Sequence, residues 1–206
     1  MKKKNIKKNL SYREGSLEDF RYAYSLMEEY FPVCELKSWD ILKDLIFIKR
    51  DSFYQFYIVS DSGIDVGFFL SCKDKDTGKI LIDYLYIYQN YRSQGYGSLI
   101  IEDFKFIFNE YNGCFFEVEK QDQNNPITLK RSKFYNKSGV YKLNFHYFYP
   151  GKDFSFTPMD LYYLSFNQKN LSKSDILKSV NNFFNLIHYD NNENCYLLLN
   201  KMSNIN

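Results

Sequence analysis

The most constraining stretch of this chain is a strand, a tight glycine-bearing turn and a helix in direct succession. Residues 80–87 are apolar on both faces apart from Asp83, the pattern of a strand in the middle of a sheet. Tyr91-Arg92-Ser93-Gln94-Gly95-Tyr96-Gly97-Ser98 follows, and then an amphipathic segment to about Asn109, closed by Asn112-Gly113. A helix N-terminus exposes unpaired backbone N–H groups and the positive end of the helix dipole. Glycines there let the backbone approach a phosphate closely. Gln94, Gly95, Tyr96, Gly97 and Ser98 therefore read either as an anion cradle, with Arg92 adding charge, or as a structural turn. The segment has neither the G-x-G-x-x-G spacing of a dinucleotide site nor the lysine of a nucleotide-triphosphate loop.

The flanks place this unit in a larger sheet. Ser16-Leu17-Glu18-Asp19 opens a helix with a capping-box pattern, and Leu17, Phe20, Tyr24, Met27 and Phe31 continue it until Pro32 stops it. A second helix is expected over 38–49. Residues 53–60 and 64–72 read as strands about the turn Asp61-Ser62-Gly63, and 114–119 as a short strand. A helix follows from Pro126 to about Lys137, then strands near 143–149 and 161–166. Ile176, Leu177, Val180, Phe183, Phe184 and Ile187 form the apolar stripe of a final helix, to be packed on the domain or on a dimer partner. The order implies one α/β domain over 1–206, built on a mixed sheet with crossover helices and parallel pairing between the strands flanking the Gly95 helix. Residues 1–10 form a basic tail and 167–206 a C-terminal helical extension.

Composition narrows the function. With 27 basic and 25 acidic residues the net charge is +2, which supplies no strong field for nucleic acid. The lysines at 2, 3, 4, 7 and 8 are not followed by an apolar segment, so no secretory leader is expected, and no apolar run is long enough to span a membrane. Cys34, Cys72, Cys114 and Cys195 are too widely spaced for a zinc site or a disulfide framework and read as free thiols in the cytoplasm. With two histidines, His146 and His188, no metal-ligand spacing appears, and no metal is expected.

Four segments, in order, resemble the GNAT N-acetyltransferase superfamily. Arg92-Ser93-Gln94-Gly95-Tyr96-Gly97 matches its R/Q-x-x-G-x-G/A motif. Residues 82–87 (IDYLYI) resemble its fourth strand and Phe116-Glu117-Val118-Glu119 its fifth. Residues 131–140 (RSKFYNKSGV) resemble its R-x-x-F-Y-x-K-x-G-F segment. The resemblance covers roughly residues 10–166. It implies a GNAT fold whose central sheet splays between the fourth and fifth strands, flanked by helices, with an extra C-terminal helix. It implies acetyl-CoA as co-substrate, its pantetheine arm against Leu85, Tyr86 and Ile87 and its pyrophosphate on backbone N–H groups from Ser93 to Ser98. Asn124 is expected either to contact that arm or to cap the next helix.

The activity so implied is acetyl transfer to a primary amine of a small-molecule acceptor. An alkylammonium with a reference pKa of about 10.4 needs a base near neutral pH. Asp83 is the leading candidate, as the lone ionisable residue of its strand, and the competing reading pairs it with a lysine, an arginine or a tyrosine hydroxyl. The position two residues earlier, which supplies the base in some family members, is Leu81. Glu117 and Glu119, on one face of their strand, are reserve candidates. Tyr135 matches the family's proton donor to the leaving thiolate, or simply packs. The acceptor site is expected between the first two helices, the loop over 31–38 and the loop over 150–158. Glu28, Glu29 and Glu35 are available there to attract a cation. The rival reading is an inactive acyl-CoA-binding sensor.

Overall fold

The computed structural model describes residues 8–49, 53–151, 156–167, 170–188 and 192–205. The lysines at 2, 3, 4 and 7, and residues 152–155 of the expected acceptor loop, lie outside them.

Helix α1 (Leu17–Tyr30) begins where expected. The Ser16 hydroxyl accepts from the Asp19 N–H, and the Asp19 carboxylate accepts from the Ser16 N–H at 2.8 Å. Such a cap stabilises a helix start by about 1 kcal/mol. Its inward face is Phe20, Ala23 and Met27, all fully buried. Helix α2 (Trp39–Lys43) is capped by Ser38 and widens into a π-helical turn over Asp44–Ile48.

The strands are β1 (Leu10–Glu14), β2 (Tyr54–Asp61), β3 (Ile64–Asp74), β4 (Lys79–Ile87), β5 (Gly113–Glu119), β6 (Tyr141–Lys142), β7 (Tyr147–Pro150) and β8 (Phe156–Ser165). They form one mixed sheet in the order β1-β2-β3-β4-β5-β8-β6, with β7 paired to β8. β4 and β5 are parallel, joined through α3 (Tyr96–Ile107). α4 (Pro126–Lys137) follows β5. α1, α2 and the C-terminal helices α5 (Lys173–Ile187) and α6 (Asn192–Ile205) share one apolar cluster on one face of the sheet, and α3 packs in a second cluster on the other.

The strand expected near 143–149 is two short strands, β6 and β7, and the one expected near 161–166 begins at Phe156. Two further elements lie outside those expected from the sequence. β1 pairs with β2 over residues placed in or beside the basic tail, and its Leu10 and Tyr12 pack against the second cluster. The extension holds two helices rather than one, α6 adding Cys195, Leu198 and Met202 to the first cluster.

The feature that shapes the site is in β4. Against β3, Leu70 is opposite Tyr84 and Ser71 is opposite Ile82, so Asp83 is an extra residue in a β-bulge. The side-chain alternation resets there. Leu81 and Tyr84 fall in the first cluster, while Ile82 and Leu85 belong to the second. Pairing with β5 also stops here: the three parallel partners are Ile80 with Cys114, Leu81 with Phe115 and Ile82 with Phe116. Beyond them β4 stays with β3 as far as Ile87, and β5 stays with β8 as far as Glu119. The strands part, as the splayed sheet requires.

Candidate active site

A cleft of about 690 Å³ opens where β4 and β5 separate, within the usual range for small-molecule sites. Leu85, Tyr86 and Ile87 line one wall together with Ser93, Gly95, Tyr96, Gly97 and Ser98. Gly95 is the N-cap of α3 at φ +89° and Ser93 has φ +60°. That left-handed entry turns the chain so that α3 starts at the cleft wall, and the first N–H groups of a helix have no intrahelical acceptor. A Cβ on Gly97 would lie 3.0 Å from the Phe134 ring, so α3 and α4 approach closely only because this side chain is absent.

Arg92 also lines the cleft, but its side chain is anchored. Its Nε donates to the Ile87 carbonyl at 3.0 Å, and its guanidinium lies 4.9 Å and 5.1 Å from the ring centres of Tyr86 and Tyr30. The charge stays beside the cradle, while one acceptor on the β4 edge is already used. Gln94 is exposed, does not line the cleft, and donates through Nε2 to the Asn90 carbonyl at 2.7 Å. Asn124 is also exposed and outside the lining. The cap of α4 is the next residue, Asn125, whose side chain accepts from the Ile127 N–H at 3.1 Å and which does line the cleft. The capping role considered for Asn124 therefore belongs to its neighbour.

The carboxylates divide sharply. Asp83 is fully engaged: Lys37 Nζ lies 3.0 Å from both its oxygens, and the Tyr54 hydroxyl donates to Oδ2 at 2.5 Å. The ion pair is buried, with side-chain exposures of 5% and 2%. Burial alone would lower the Lys37 pKa, but Asp83, Tyr84 and Glu117 outweigh it and hold the ammonium charged. Glu119 is ion-paired with Arg131 of α4 at 2.8 Å.

Glu117 differs. Its Oε1 accepts from the Tyr147 hydroxyl. Burial, and then the charge of Asp83, push its carboxyl up to about 7, against the lowering effects of Lys37 and of the Tyr147 bond. Glu35 is the one of the three acceptor-side glutamates expected from sequence that lines the cleft; its carboxyl is raised by burial and by Glu119. Its carbonyl accepts from the hydroxyls of Tyr84, at 2.9 Å, and Tyr149, at 3.1 Å. Arg131 opposes that rise, but no hydrogen bond or close ion pair to the Glu35 carboxylate is found among the described residues.

Tyr135 packs between Phe116 and Tyr162, with ring centres at 5.3 Å and 5.6 Å, and lines the cleft. Burial pushes its hydroxyl up to about 12, with Arg131 opposing, so it is protonated at neutral pH. Sequence reasoning missed Lys37, Tyr54 and Tyr147. Each meets its carboxylate across 29 to 46 residues of chain, and no local pattern encodes those meetings.

Among the described residues no group of three His, Cys, Asp or Glu side chains is arranged to hold a metal ion, and no helix is long and apolar enough to cross a membrane.

The Acetyltransferase (GNAT) family matches residues 20–137. No curated protein matches the chain. Among solved structures, a putative GNAT acetyltransferase from Bacteroides thetaiotaomicron superposes with a TM-score of 0.69 at 19% identity, covering 87% of this chain and 98% of that one. The ribosomal-protein-S18-alanine N-acetyltransferase of Escherichia coli gives 0.57 at 12%, covering 79% and 97%. The spermidine N-acetyltransferase of Vibrio cholerae, solved in complex with CoA and spermine, gives 0.56 at 15%, covering 76% and 95%. The family match takes in more than half of the chain, including the bulged strand, the Gly95 turn, the separating strands and Tyr135, and the chain belongs to the GNAT acetyltransferase family.

Proposed function

We propose that this protein is an acetyl-CoA-dependent N-acetyltransferase acting on a small, cationic primary amine, with Glu117 in the role first considered for Asp83. The observation that carries this reading is the pairing within one cleft of a carboxyl poised near pH 7 with a tyrosine hydroxyl that stays protonated. A base is most effective when its pKa lies near the working pH. Asp83 also lines the cleft, but both of its oxygens are engaged by Lys37 and Oδ2 by Tyr54 as well.

The α3 N-terminus and the β4 edge fit the co-substrate: the cradle lies beside an unpaired strand edge, where the two must meet to bind a phosphate-bearing pantetheine. Acetyl-CoA supplies the acetyl thioester. Glu117 takes a proton from the bound ammonium, directly or through water. The amine nitrogen then bonds to the thioester carbonyl carbon, the C–S bond breaks, Tyr135 gives its proton to the departing thiolate, and the second proton shed by the nitrogen as the amide forms restores the Tyr135 hydroxyl.

Glu35 supports a cationic acceptor, because an unpaired, half-buried carboxylate attracts an ammonium and disfavours a neutral or anionic competitor. The Vibrio cholerae enzyme solved with spermine sets a precedent for a polycation on this fold. The reading treats the whole chain as one domain, since α5 and α6 share an apolar cluster with α1. It places the protein in the cytoplasm, where thiols such as Cys72 and Cys114 stay free.

The test is calorimetric titration with acetyl-CoA, of the native protein and of Gly95→Asp, followed by thiol release with a panel of mono- and polyamines. Binding lost in the variant, with turnover on an amine, is the expected result. Binding without turnover on any amine leaves an acyl-CoA-binding module. No binding at all overturns both.

A further inference from the structure

The C-terminal extension lies outside the segment matched by the family, yet it packs on the strand whose tyrosines meet Glu117 and Glu35. α5 buries Ile176, Val180, Phe183, Phe184 and Ile187 in the cluster that also holds Leu81 of β4 and Phe115 of β5. At its C-terminal end Phe184 packs on Tyr147, with ring centres 6.3 Å apart. His188 packs edge-on against Tyr149 at 5.3 Å. Both tyrosines belong to β7, a four-residue strand that pairs with β8 alone among the described strands. They are two residues apart and so share a face.

A strand that short, held along one edge, does not fix two aromatic side chains; the helices behind it do, α6 by packing along β7 and α5 through the rings of Phe184 and His188. The hydroxyls project from those helices to the acceptor side of the cleft. Tyr147 donates to Glu117, and Tyr149 donates to the Glu35 carbonyl. Tyr147 is 2% exposed, so its hydroxyl does not reorient without moving the side chains packed around it, Phe184 among them.

We propose that the extension is part of the acceptor-site machinery: Tyr147 is a positioning residue that holds the Glu117 carboxylate, and Phe184 of α5 is the surface that holds Tyr147. This rests on the reading of Glu117 as base. Other groups acting on Glu117 are Asp83 of β4 and Lys37 and Glu35 of the α1–α2 loop; Tyr149 of β7 and Cys72 of β3 are within electrostatic reach.

Tyr147→Phe removes the donor and keeps the ring. Phe184→Leu keeps an apolar side chain and removes the flat support. Each is read in two ways: the pH dependence of kcat/KM with a working amine, and a carbon-13 NMR titration of the glutamate carboxyls, with Glu117 assigned from the signal missing in Glu117→Gln. Acetyl-CoA affinity by calorimetry serves as the folding control. The expected result for Tyr147→Phe is a midpoint raised by roughly one pH unit, since a bond to a carboxylate favours its charged form. Phe184→Leu should move the midpoint the same way by less, with acetyl-CoA affinity retained in both. Folded variants whose Glu117 titrates as in the native protein overturn the proposal. If the native protein turns over no amine, the acyltransferase reading fails by itself, and the NMR titration still decides whether Tyr147 and Phe184 hold Glu117.

Discussion

Lys37 Nζ lies 3.0 Å from both carboxylate oxygens of Asp83, and the pair is buried beside a carboxyl that is poised to titrate. In the proposed mechanism the two acids have opposite tasks. Asp83 neutralises a lysine that pins the α1–α2 loop to the sheet bulge, and its charge helps to raise Glu117. The same loop is tied through the Tyr84 hydroxyl, which accepts from the Lys37 N–H at 3.1 Å, and through the Tyr24 hydroxyl, which donates to the Lys37 carbonyl.

Removing one member of such a pair leaves an uncompensated buried charge. Lys37→Met should cost about 3–5 kcal/mol of stability, and Lys37→Met combined with Asp83→Leu should recover much of it. Chemical denaturation of the single and double variants measures the coupling. Costs that simply add would show the pair to be energetically slack.

Glu117 makes a prediction about stability with pH. A carboxyl raised in the folded state from 4.5 to about 7 binds its proton more tightly there than in the unfolded chain. Its contribution is therefore fully present below about pH 4.5 and is lost as pH rises through about 7. The loss amounts to about 3 kcal/mol by linkage. Glu117→Gln has no such titration, so the stability difference between it and the native protein should shift in its favour across that window. Thermal melts of both proteins from pH 4 to 8 check the slope, and parallel curves would mean that Glu117 titrates normally.

In turnover, kcat/KM should climb as pH passes through about 7 and Glu117 loses its proton. Glu117→Gln should lose roughly 10²–10⁴-fold and flatten that limb. Tyr135→Phe should lower kcat by a similar or smaller factor while acetyl-CoA still binds, because in the proposed mechanism its hydroxyl acts on the leaving group. An unchanged rate and profile in Tyr135→Phe would reduce that residue to packing against Phe116 and Tyr162.

How much of this was legible in the sequence follows the range of the interactions. The Gly95 turn and α3 were readable because glycine, capping and apolar period are local signals, and the α1 cap at Ser16 and Asp19 was readable for the same reason. β1 was not: five residues behind a run of lysines carry a strand pattern only once β2 is beside them. α6 was hidden by its asparagines, which favour turns and caps over helix interiors; its stability comes from burying Cys195, Leu198 and Met202. Asp83 stood out as a lone charge in an apolar strand, but its partner lies 46 residues away. Which carboxylate is held in an ion pair and which accepts only a hydroxyl is set by that meeting and by Tyr147, neither of which leaves a trace near residues 83 or 117.

Glu35 offers the cleanest probe of acceptor choice. Its carbonyl, not its carboxylate, carries the hydrogen bonds that hold the loop, so Glu35→Gln should leave the Tyr84 and Tyr149 contacts intact. Losing one partly solvated charge interaction is worth about 1 kcal/mol. KM for a cationic amine should therefore rise by roughly fivefold, with kcat and acetyl-CoA affinity little changed. The effect should be larger for a diamine than for a monoamine of similar length, and it should shrink as salt is added. Steady-state kinetics with matched mono- and diamines decides the matter. An equal response to both, at all ionic strengths, would remove Glu35 from acceptor recognition and leave it as a structural loop residue.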